Sequence, residues 1–168
     1  MGIDWGKLSE QFGGRFGRDA ARTALSDLLG EKEIRSAVRQ YVNGCHGSEL
    51  VFTVLRLLKP HAARDECLKI YYDECDSEKR VAAVELFRVV ANAEALGTVP
   101  SFLQDGIPAV QVWGASVVDY LVLDGECRDA ALLASCLQLM HDHSNPDVVE
   151  TGERVEAMLS GMQHGGST

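Results

Sequence analysis

Apolar residues recur three and four positions apart along nearly the whole chain, and the strict alternation of a half-buried strand is almost absent. The spacing predicts helices over 48–59, 61–74, 77–92, 95–104, 109–123, 127–142 and 146–161. Two more precede them, one from a capping Asp19 to a stop at Gly30 and one from Glu31 to Asn43. Ser48, Ser77 and Asn145 sit where N-caps belong, and Pro146 takes the favoured first helical position. Glycines at 2, 6, 13, 14 and 17 set off a short helix near Trp5–Phe12 followed by a loop. The fold class is all-α.

The apolar stripes come back in register. Val51, Val54, Leu55 and Leu58 occupy i, i+3, i+4 and i+7 of one helix. Ala83, Leu86, Phe87 and Val90 repeat that spacing 32 residues on, Gly114, Val117, Val118 and Leu121 a further 31 on, and Val155, Met158, Leu159 and Met162 a further 41 on. One helix lies between each pair, with its own stripe, such as Leu133, Cys136, Leu137 and Met140. This order predicts antiparallel helical hairpins stacked as an α-solenoid, each burying its face on its neighbours. The 168 residues form one domain: N-terminal helices over 1–47, repeats over 48–161 and a frayed tail over 162–168.

Charge divides the chain. Residues 1–64 carry ten Lys and Arg against seven Asp and Glu, and residues 65–168 carry six against eighteen. The acidic part repels phosphate, so nucleic acid is not an expected partner, whereas a basic protein is attracted to it. No apolar run reaches the roughly 18 residues of a membrane span, and the N-terminus lacks a basic, then apolar, leader. Gly2 is not followed by Ser or Thr at position 6, which removes myristoylation. Five cysteines without a CxxC pair are expected as reduced thiols, mostly buried, in a cytoplasmic protein with no membrane partner.

Two segments resemble a known family. Arg80-Val81-Ala82-Ala83-Val84-Glu85-Leu86, and the Val110-x-x-Trp113-Gly114-Ala115 to Leu121 order, are similar to the first helix of a HEAT repeat, with its Val-Arg-x-x-Ala-x-x-x-Leu core. The resemblance covers residues 48–161 and implies a HEAT-like α-solenoid. The order of an N-terminal helical pair, Gly47-Ser48-Glu49-Leu50, Gln111-Val112-Trp113-Gly114-Ala115 and Val117-Val118-Asp119-Tyr120-Leu121 further resembles small bacterial HEAT-like immunity proteins of polymorphic toxin systems.

Candidate chemistry is sparse. His141 and His143 project to different sides of a helix, and Ser144-Asn145-Pro146 ends that helix beside them, so a polar helix terminus is the simpler account than a metal pair. Cys45 and His46 are sequence neighbours that rarely face each other as nucleophile and base. HEAT-like metal hydroxylases carry paired His-Glu motifs, and this chain has no His-Glu dipeptide. The Gly13-Gly14-Arg15-Phe16-Gly17 run lacks both the Lys-Ser/Thr ending and the preceding strand of a phosphate loop, so it is expected to be a linker. Arg18 with Arg22, and Arg35 with Arg39, form i,i+4 pairs interleaved with Asp19, Asp27, Glu31 and Glu33, a mixed solvated surface. No cofactor, metal or catalytic residue is expected, and the protein is not expected to be an enzyme.

Acidic clusters are the strongest signal outside the core. Asp73, Glu74, Asp76 and Glu78 flank one helix junction, and Asp124, Glu126 and Asp129 flank another. Stacked repeats are expected to bring these junctions to one edge and sum their fields, although carboxylates in a first helical turn also serve the helix dipole. The EF-hand order around a central Gly is missing. Of Tyr71 and Tyr72 only one can point inward, leaving the other beside the carboxylates as an interface residue. Trp113 is expected in packing. The expected protein-binding residues are Tyr72, Asp73, Glu74, Asp76, Glu78, Asp124 and Glu126. The expected function is an immunity protein that sequesters a basic cognate toxin domain. The alternatives are a general HEAT-like adaptor and a HEAT-like DNA-repair glycosylase.

Overall fold

The computed structural model describes residues 15–127 and 129–164, with side chains over 21–127 and 129–161. These residues form helices α1 (Arg15–Leu29), α2 (Glu31–Val42), α3 (Ser48–Leu58), α4 (His61–Asp73), α5 (Ser77–Val90), α6 (Val99–Leu103), α7 (Pro108–Leu123), α8 (Ala130–His141) and α9 (Pro146–His164). A 3-10 turn over Ala93–Thr98 leads into α6. No strand occurs among the described residues. The expected helix near Trp5–Phe12 and the tail beyond 164 lie outside them.

The boundaries follow local chemistry. Asp76 caps α5, its side chain accepting from the Glu78 and Lys79 amides, so the cap is one residue earlier than the expected Ser77. At α9, Asn145 Oδ1 accepts from the Asp147 amide at 3.1 Å, as expected. Before α3 the cap is Gly47 in the left-handed region, with no side-chain bond, rather than Ser48. α1 begins at Arg15, inside the glycine run expected to be a linker, and the expected cap Asp19 therefore falls within the helix. α9 continues to His164, into the stretch expected to fray.

Consecutive helices pack in pairs, α2 with α3, α4 with α5, α6 with α7 and α8 with α9. Alternate helices also touch: α2 with α4, α3 with α5, α5 with α7, α7 with α9 and α6 with α8. α1 lies on α2 and α3. α5 and α7 are thus enclosed by neighbours, and Leu86, Phe87, Val90, Val117, Val118 and Leu121 are fully buried. A chain of edge-to-face rings, Tyr71 on Phe102 (4.8 Å) and Phe102 on Phe87 (5.3 Å), ties α4, α6 and α5 together. The first stripe departs from expectation. On α3 only Leu55 is buried, while Val54 faces outward with Leu50 and Leu57.

Each helix reverses the chain, so alternate links collect at opposite ends. At one end the α4–α5 link meets the α6–α7 link: the Tyr71 hydroxyl donates to Asp105 Oδ2 at 3.0 Å and the Arg80 guanidinium donates to the same carboxylate. His143 and Asn145, before α9, join this end through the Leu103 carbonyl (2.8 Å) and Gln111 Oε1 (3.1 Å). At the other end Lys59 pairs with Asp124, and Arg64 with Glu94 at 3.3 Å.

Candidate functional site

Side chains at the α4–α5 end follow from where the helices stop. Tyr71 and Tyr72 are adjacent on α4, so they project about 100° apart. Tyr71 is buried and Tyr72 is 62% exposed. Their rings meet edge-on at 4.8 Å, and the Arg80 guanidinium lies 5.1 Å from the Tyr71 ring centre. Tyr71 is held by its bonds to the Ser101 carbonyl and to Asp105, so the exposed Tyr72 ring rests on a fixed support. Burial, with Asp105 as hydrogen-bond acceptor and neighbouring charge, pushes the Tyr71 phenol up to about 12.

The carboxylates around Tyr72 divide by role. Glu74 Oε1 accepts from the Cys75 and Asp76 amides at 3.0 and 3.2 Å, and its Oε2 lies 3.8 Å from Lys79 Nζ. Asp76 is committed to the α5 cap. Both hold the turn. Asp73 and Glu78 are exposed at its rim. The neighbouring groove adds cations to the acidic pattern: Lys69 and Lys79, close in sequence, and the distant Arg39 line it with Asp73 and Glu74. Lys69 lies one helical turn before Asp73, which was the signal available for this.

The second acidic junction is elsewhere, so the expected single acidic edge does not form. Glu126 borders a groove with Lys59, Ala91 and Asn92, at the C-terminal end of α5, whereas Asp76 caps the N-terminal end of the same helix. A 14-residue helix separates those points by about 20 Å at 1.5 Å per residue. Asp124 pairs with Lys59 at that far end. The expected edge therefore splits: Tyr72, Asp73, Glu74, Asp76 and Glu78 stay together, and Asp124 and Glu126 leave the group. Three helices lie between the two links, and an odd number of reversals puts them at opposite ends.

Other candidates have internal partners. Glu66 is only 2% exposed and accepts from Arg39 Nε at 2.6 Å and Arg35 Nη1 at 3.3 Å. This arginine pair, expected on a mixed surface, thus clamps a buried carboxylate of α4 and fixes α2 on it. His143 Nδ1 accepts from the Asn145 amide at 2.9 Å, leaving Nε2–H to donate to the Leu103 carbonyl. His141 Nε2 lies 2.9 Å from Glu156 Oε1. The two imidazoles serve separate contacts. Among the described residues no three His, Cys, Asp or Glu gather in a metal-holding group, and none of the helices is long and apolar enough to cross a membrane. Trp113 is half-buried, its ring 4.7 Å under the Arg88 guanidinium. Of the cysteines, Cys67 and Cys136 are buried, Cys127 is half-buried, and Cys45 and Cys75 are exposed.

No protein-family model, curated protein or solved structure matches this chain.

Proposed function

We propose that this chain is a HEAT-like α-solenoid that binds a basic protein, acting as an immunity protein that covers a cognate toxin domain. The observation that carries the reading is Tyr72, 62% exposed and supported edge-on by the hydrogen-bonded Tyr71, at the same helix junction as the exposed Asp73 and Glu78. A pre-positioned aromatic side chain loses little rotamer freedom on binding, and aromatic residues dominate interface energetics. The carboxylates at that junction speed encounter with a cationic surface and select against an acidic one. Hairpin pairing and alternate-helix contacts support the solenoid, and residues 80–86 and 109–121 carry the HEAT resemblance.

Co-expression with the product of the adjacent upstream gene tests the reading, with growth rescue and co-purification as readouts. Rescue with a stable complex is expected. A harmless neighbour that does not co-purify ends the immunity proposal. Within a complex, Tyr72→Ala is expected to cost about 2 kcal/mol, roughly thirtyfold in Kd. Asp73→Lys with Glu78→Lys is expected to slow association most at low salt. These two positions are the proper probes of charge, because reversing Glu74 or Asp76 removes turn and cap bonds as well. Unchanged affinity in both variants moves the interface away from the α4–α5 end.

A further inference from the structure

Large apolar side chains left exposed among the described residues concentrate at one place. Leu25, Leu28 and Leu29 lie on α1, and Leu50, Val54 and Leu57 on α3; only Tyr72 and Leu123 lie elsewhere. The α3 residues are spaced i, i+4 and i+7, so they form one stripe along the helix, opposite the buried Leu55. Leu25 and Leu29 follow Arg22 by three and seven positions, on one side of α1. Arg22 Nε donates to the Leu57 carbonyl at 2.7 Å, which sets that side of α1 against the end of the α3 stripe. Leu28, the most exposed at 82%, lies beside it.

The opposite end of the molecule is finished differently. α8 and α9 turn Gln138, Glu150, Glu153, Arg154 and Glu156 outward. A row of packed helices needs such a polar surface at each end, or a cover. Beside the exposed Asp27, Glu49 and Arg56, the N-terminal end leaves five leucines and Val54 exposed, with no cover among the described residues. Exposed apolar area of this kind marks an association surface.

Charge along α3 selects the cover. Glu49 and Arg56 are both exposed and seven positions apart, so they lie on one flank of the stripe. We infer that the α1–α3 face is the interface of a two-fold dimer of this chain, built on antiparallel α3 helices. With the axis between positions 53 and 54, Leu50 meets Leu57 of the second copy and Val54 packs near the axis. The two-fold keeps both charged flanks on the same side. Glu49 then falls within about 3 Å, along the helix, of Arg56 in the other copy, at 1.5 Å per residue. A parallel pairing carries the two Glu49–Arg56 flanks to opposite sides of the seam, where neither charge meets its complement, and is disfavoured. Self-complementary charge around an apolar stripe is what an isologous interface requires. The inference is independent of toxin binding, because it concerns a different face and is measured on the purified chain alone.

Sedimentation equilibrium of the full chain tests it. The expected mass is twice 18.3 kDa, with dissociation on dilution. Leu57→Asp, Glu49→Arg and Arg56→Glu are each expected to weaken the dimer at least tenfold while the helical circular-dichroism spectrum is kept. The double variant Glu49→Arg with Arg56→Glu is expected to restore association, because the pair is rebuilt with its signs exchanged. Single reversals without effect, or a double variant that fails to recover, overturn the antiparallel register. A wild-type chain that is monomeric throughout overturns the dimer. If deletion of residues 1–14 then produces a dimer, that segment occupies the face; if it does not, a different protein does.

Discussion

At Gly114 a single missing methyl group sets how closely two helices approach. A Cβ there would lie 2.5 Å from Cβ of Phe102, an atom fixed by the α6 backbone and unable to rotate away. Helix propensity alone favours alanine by up to about 1 kcal/mol, but overpacking of this kind costs about 1–3 kcal/mol. Gly114→Ala is therefore expected to lower stability, with a fall in Tm of about 2–4 °C per kcal/mol lost. Gly161, with nothing within 4 Å of a built Cβ, supplies the contrast: Gly161→Ala is expected to be neutral or slightly stabilising in the same melt. Tyr71 makes a second residue-scale prediction. Its phenol is pushed up to about 12 in the fold, against about 10 in an unfolded chain. The neutral form is the one the fold favours, so this stabilisation is complete below about pH 10 and is lost as pH rises toward 12. Tyr41 is displaced in the same direction by burial and Glu85 and adds to the loss. Urea midpoints followed through that window are expected to fall, and to fall less steeply in Tyr71→Phe, which also loses the bonds to Ser101 and Asp105.

Elements end where a side chain can satisfy the free amides of the first turn, and α5 is the clearest case. Asp76→Ala removes the acceptor for the Glu78 and Lys79 amides and is expected to cost about 1 kcal/mol. Glu78→Ala, on the exposed rim, is expected to change stability by only a few tenths, through the helix dipole. Chemical denaturation of the two variants separates these roles, and equal costs would mean that Asp76 does not cap α5. Much of this level was legible. Helix periodicity placed α2, α3, α4, α5, α7, α8 and α9 within a few residues, because amphipathic spacing and caps are local properties. The region expected as one helix over 95–104 divides into a 3-10 turn and the short α6, where Pro100 permits only a helix beginning beside it. The α3 stripe was misassigned for a related reason. Apolar residues on that helix cover more than one face, and spacing cannot tell which of two apolar faces is inside.

Across the whole molecule, burial rises toward α5 and α7, each of which has a partner on either side in the alternate-helix order. Native-state hydrogen exchange is expected to follow that gradient. Amides of α5 and α7 should exchange slowest, through global unfolding, and those of α1, which packs chiefly on α2 and α3 among the described elements, should exchange first through local opening. Uniform protection along the chain would contradict the packing. The inferred dimer adds a concentration term, since association on α1 and α3 should slow exchange there as protein concentration rises.

Sequence by itself determined the helical class, most helix limits, the net charges of the two parts and the division of Tyr71 from Tyr72. All of these rest on interactions within one or two turns of chain. Tertiary structure decided which junctions become neighbours. It separated Asp124 and Glu126 from Asp73 and Asp76, gave Arg35 and Arg39 a buried Glu66, brought Arg39 into the groove beside the acidic turn and left Leu50, Val54 and Leu57 outside. The physical reason is that helix direction alternates and side-chain partners come from residues 25 to 65 positions away. Such contacts depend on how helices stack, and the local pattern of polar and apolar positions carries no record of that.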